Sequence, residues 1–107
     1  MAFKVLFLAH APDADPSVHR ATIRTEKLDF TSIIVRDQAQ AIEVVKEMAA
    51  GGNLDSILLC PGFGHEDVAQ VAEAAGPSVG VSVARGDGRS MTLAHEAMKR
   101  AGWFSQA

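Results

Sequence analysis

Apolar residues fall along this chain in two alternating patterns, short unbroken runs and longer stretches at helical spacing. Phe3-Lys4-Val5-Leu6-Phe7-Leu8-Ala9 is nearly continuous, as expected of a strand buried on both faces. Pro12 and Pro16, with Asp13 and Asp15 around them, end it in a loop. Phe30 to Arg36 reads as a second strand from its β-branched residues. Asp37, followed three positions later by Gln40, has the form of a capping box. The helix it opens carries Ala41, Ile42, Val45, Met48 and Ala49 on one face, and Gly51-Gly52 stop it. A third strand, Asp55 to Cys60, runs into Pro61-Gly62-Phe63-Gly64 and a helix with Val68, Val71, Ala72 and Ala75 at helical spacing. Ser78 to Ala84 alternates as a fourth strand. The last helix follows Ser90, with Leu93, Ala94, Ala97, Met98 and Ala101 expected to face inward.

Strand and helix alternating in this way predict right-handed crossovers and a parallel sheet covered by helices. The expected fold is α/β, a small three-layer sandwich around a mostly parallel sheet of four or five strands. Its order is flavodoxin-like or Rossmann-like, second-first-third-fourth. All 107 residues are read as one domain. Ser17 to Asp29 leaves two alternatives: a helix capped at Asp15-Pro16, or a short strand at Ala21-Thr22-Ile23-Arg24-Thr25 pairing with the next one. The density of β-branched residues favours the extended form.

Composition narrows the classes of function. With 48% hydrophobic and 21% charged residues the chain can build a packed core. A net charge of −3 and a pI of about 5.7 argue against nucleic acid or an anionic membrane as partner. The longest apolar runs are far shorter than a membrane helix requires, and no secretory leader is expected. Cys60 is the only cysteine, so an intrachain disulfide is excluded and a cytoplasmic setting is expected.

The polar residues gather after the strands, where ligands of open α/β sheets bind. His10, His19 and Arg20 follow the first strand, Cys60 and the glycine turn the third, and Arg85, Asp87 and Arg89 the fourth. Arg85-Gly86-Asp87-Gly88-Arg89-Ser90 suits an anion, since guanidinium forks and free N–H groups match a carboxylate or phosphate. A salt-bridged surface turn has the same composition. Gly62 and Gly64 let backbone N–H groups approach a ligand, but Glu66 and Asp67 already satisfy the helix start, and a dinucleotide fingerprint would need a third glycine where Asp67 stands. The expected ligand-binding set is therefore Arg85, Arg89, Ser90, Gly62, Gly64 and Arg20, and no cofactor is implied. Cys60, His10 and His19 are the candidates for reactive groups, with Cys60 also readable as a small buried hydrophobe. No metal site is expected. His10, His19 and His65 have the chemistry for one but no tight ligand spacing. Trp103 and Phe104 either fold back on the sheet or meet another subunit, and a sheet this small favours a homo-oligomer.

His19-Arg20-Ala21-Thr22-Ile23, the helix from Ala39 to Ala50, Ile57-Leu58-Leu59-Cys60-Pro61-Gly62-Phe63-Gly64 and Val79 to Arg85 resemble a family of small uncharacterised prokaryotic proteins, a domain of unknown function. The resemblance spans Phe3 to about Ser90 and implies a compact α/β fold without naming an activity. Leu58 and Pro61 stand where that family carries an acid and a glycine around the leucine-cysteine pair. The leading expectation is a cytoplasmic domain binding a small anionic ligand at the strand ends. The alternatives are a non-catalytic homo-oligomeric interaction module and a small enzyme using Cys60 or a histidine.

Overall fold

The apolar run at the start of the chain becomes the central strand of the sheet. In the computed structural model, which describes residues 1–104, β1 (Phe3–His10) has a parallel neighbour on each side, β3 (Leu28–Val35) and β4 (Ser56–Leu59). β2 (Arg20–Arg24) pairs antiparallel with the outer side of β3, and β5 (Gly80–Val83) pairs parallel with β4. The order is β2-β3-β1-β4-β5. α1 (Gln38–Ala50), α2 (His65–Ala75) and α3 (Gly88–Arg100) follow β3, β4 and β5. The protein is thus α/β, with a mostly parallel five-stranded sheet, one antiparallel pair and three helices. Among the described residues no helix is long and apolar enough to cross a membrane.

The segment with two readings is extended. Asp15 does not start a helix. Its carboxylate accepts from the Ser17 N–H at 3.0 Å and the Ser17 hydroxyl at 2.7 Å, and its carbonyl accepts from the Val18 and His19 N–H groups. That closes a single turn. β2 then forms a hairpin with β3, its tip held by the Thr25 hydroxyl, which accepts from the Lys27 and Leu28 N–H groups.

Alternation along the central strands sets the core. Leu6 and Leu8 of β1, Ile33 and Val35 of β3, and Ile57 and Leu59 of β4 are fully buried on one face beneath α1 and α2. Ala41, Val44 and Val45 of α1 and Val71 and Ala75 of α2 complete that layer. Asp37 caps α1 as its spacing predicts, accepting from the Gln40 N–H at 2.9 Å. The Gln40 side chain reaches one residue further back than a capping box requires, to the Arg36 N–H at 2.8 Å.

Two expectations are corrected. Val44, outside the face read for α1, is buried with Val45. No residue of α3 is buried, and Leu93, expected to face inward, is 51% exposed. The reason lies in the connections. The link from β1 to β3 holds a turn and β2 instead of a crossover helix, so among the described residues α3 is the only helix beside the second face of the sheet. α3 reaches that face at one end, against Ala9 and Cys60.

Candidate functional site

β1 and β4 deliver their last residues side by side. The Cys60 N–H donates to the Leu8 carbonyl at 3.0 Å, which carries the pairing one residue past β4. The chain then turns, with the Phe63 N–H donating to the Cys60 carbonyl at 3.2 Å. This turn drives Phe63 into the core, only 4% exposed, and the His10 imidazole stacks on it with ring centroids 4.1 Å apart and planes 24° from parallel.

The stack holds His10 beside the one thiol. Cys60 Sγ lies 3.8 Å from His10 Nδ1, within reach of a weak sulfur hydrogen bond. Gly62 makes room for the ring, since a Cβ there would stand 2.9 Å from Nδ1 and 3.5 Å from Sγ. Burial pushes the His10 pKa below its ordinary value, outweighing the upward pull of Asp67 and Asp37 at the starts of α2 and α1. The shift favours the uncharged ring, one of whose nitrogens can accept a proton.

α3 and the residues after it form the opposite wall. Met91, Ala94, Met98 and Trp103 enclose, with Ala9, His10, Cys60, Pro61 and Gly62, a cavity of about 240 Å³. The positions 91, 94 and 98 share one helix flank. The Trp103 N–H donates to the Met98 carbonyl at 3.0 Å, which turns the indole back toward the sheet. Gly86 seats the loop before α3 on this wall, where a Cβ would meet Met91 at 2.7 Å and Pro61 at 3.2 Å. Apart from the imidazole and the thiol, the lining side chains are apolar.

Of the residues singled out from the sequence, the structure brings His10, Cys60 and Gly62 together. The rest of the expected ligand set lies outside the cavity lining. Arg85 is exposed and paired with Asp87, its Nη2 3.0 Å from the carboxylate. Arg89 and Ser90 are exposed in the first turn of α3. Arg20, on the edge strand, donates from Nε to the Pro16 carbonyl at 2.7 Å. The Gly64 N–H donates to Asp67 Oδ2 at 3.0 Å, so an internal carboxylate already occupies that donor. His19 is exposed, and its Nδ1 accepts from the Asp15 N–H at 2.9 Å. His65 is exposed at the start of α2. Among the described residues no three His, Cys, Asp or Glu side chains gather as a metal site requires, so His10, His19 and His65 do not form one. The sequence reading missed Phe63, Met91 and Met98 as site residues. The spacing of Met91, Ala94 and Met98 carried a signal, but it is the same spacing that packs any helix.

The sequence model of a family of unknown function (DUF6506) matches residues 3–99, and the chain belongs to that family. No curated protein and no solved structure matches it.

Proposed function

We propose that this member of the DUF6506 family binds a small molecule with an apolar body in the cavity between the ends of β1 and β4 and α3. The observation that supports this most is the pairing of an apolar enclosure with two convergent polar groups, the His10 imidazole and the Cys60 thiol, the usual make-up of a ligand pocket. The position agrees with it. β1 lies between β3 and β4, and the connections diverge on either side of it. Ligands of such sheets bind beyond the carboxyl ends of the strands at that divergence. An apolar cavity of about 150 Å³ accommodates benzene, so about 240 Å³ suits a substituted single ring or a short branched chain. The anionic ligand expected from the sequence fits this site less well, because its arginines lie outside the lining. An anionic substituent reaching toward the Arg85–Ser90 loop is compatible with Gly86 packing on Met91.

Trp103 is the only tryptophan, and the chain has no tyrosine, so its fluorescence reports on the cavity wall directly. Titration with substituted benzenes and short branched carboxylic acids should change that emission saturably. Ala94→Phe, which fills the cavity from α3, should abolish the response with the fold retained. Arg85→Ala should keep it. A response equal in Ala94→Phe and the parent protein would refute the reading.

A further inference from the structure

The two faces of the sheet differ in charge as well as in cover. The strands carry five acidic or basic side chains, Lys4, His10, Arg20, Arg24 and Asp29, and the pairing register puts all five on the face that bears α1 and α2. The opposite face has none. Its positions include Val5, Phe7, Ile23, Phe30 and Leu58, brought together by the pairs Val5 with Phe30, Ile23 with Phe30 and Phe7 with Leu58, with Ser32, Ser56 and Ser82 as its uncharged polar members. Ile23 is 65% exposed and Phe3, on the same face, 53%. A strand face turned permanently to water ordinarily carries polar residues.

The chain has too much surface for its mass. Its accessible area is 7062 Å², whereas a folded monomer of 11.3 kDa exposes about 5,700 Å² by the usual scaling, so roughly 1,300 Å² is in excess. Its radius of gyration, 14.4 Å, exceeds the approximately 13 Å of a domain this long. α3 accounts for part of this, having thirteen residues of which none is buried. Isolated helices of this length are marginal in water, and most helices are held by packing an apolar face.

We infer that a second copy of this chain covers the bare sheet face, with the exposed flank of each α3 closing the edge of the contact. The occupant follows from charge and area. An uncharged face meets its own copy about a two-fold axis without opposing like charges, and it offers no ionic pattern to select a different partner. The bare face measures roughly 460 Å² in projection from strand spacing and rise, and the flank of α3 adds about 200 Å². Two such surfaces give about 1,300 Å², within the range of specific interfaces. The pairing does not depend on what the cavity binds, because its test reads mass alone.

Sedimentation equilibrium of the intact protein should give twice 11.3 kDa. Ile23→Lys and Leu93→Glu change side chains that are more than half exposed in the single chain, so a monomer tolerates both. Each should shift the mass to 11.3 kDa and keep a helical far-UV spectrum. The melting temperature of the unmodified protein should rise with its concentration, a measurement that needs no variant. A parent protein of 11.3 kDa with a concentration-independent melting temperature, an assembly other than two copies, or a dimer that survives both substitutions overturns the inference.

Discussion

Replacing Gly62 with alanine tests how the thiol and imidazole are held together. Gly62 does not have the positive φ that only glycine adopts comfortably, so alanine is acceptable to the backbone and acts through its methyl group alone. That methyl would stand 2.9 Å from His10 Nδ1, well inside ordinary contact. The ring cannot recede freely, because Phe63 behind it is 4% exposed and stacked at 4.1 Å. It must slide off the stack toward solvent. Overpacking costs about 1–3 kcal/mol, and the low end applies where the displaced group has water beside it. For a domain of this size about 1 kcal/mol lowers the melting temperature by roughly 4 °C. The His10 pKa should rise toward its ordinary value as burial is relieved. NMR titration of the His10 ring protons reads that shift. Gly64→Ala is the control, since its methyl would lie at an ordinary 3.6 Å from the Asp67 carboxylate and should leave the His10 titration unchanged. A Gly62→Ala protein with the parent's melting temperature and His10 titration would show that the ring is not confined as described.

The folded His10 pKa lies below 6.5, so an unfolded chain binds a proton at a pH where the folded one does not. Stability should therefore fall as pH drops through 6.5 and level off below the folded value, and urea unfolding of His10→Asn beside the parent should show that component removed. Leu8→Ala, at a fully buried position of β1, should cost about 2–5 kcal/mol in chemical unfolding, while leaving the pairing of β1 with β3 and β4 in place. Arg85→Ala should change stability by less than about 1 kcal/mol, because its pair with Asp87 is exposed; a double-mutant cycle with Asp87→Ala measures the coupling.

The parts of the fold that were legible in the sequence are those fixed by local chemistry. The continuous apolar run of β1 marked a strand with neighbours on both sides, and Asp37 with Gln40 marked the start of α1. Ser17 to Asp29 was harder, because Asp15-Pro16 supports a helix cap and a tight turn equally well. The outcome depends on β3 offering Ile23 and Thr22 a partner strand. α3 misled for a related reason. Its apolar spacing is that of a packed helix, yet the described chain gives it little to pack on. The site was half legible. His10 and Cys60 were identifiable by chemistry and by their places at strand ends, but their 3.8 Å approach depends on the parallel register of β1 and β4. The arginines attracted attention by type, and tertiary structure set them on the outside. Met98 looked like an ordinary packing residue, and Phe63 and Met91 had no role in the sequence reading. Met91 and Met98 line the cavity, and Phe63 backs the imidazole.

Methionine methyl groups offer the most direct test of the cavity as a binding site. The chain has four methionines, of which Met91 and Met98 line the cavity while Met1 and Met48 lie outside its lining. Toluene, an apolar single ring, should shift the Met91 and Met98 methyl resonances saturably and leave those of Met1 and Met48 in place. Four resonances that stay fixed, or that drift together without saturation, would contradict the account.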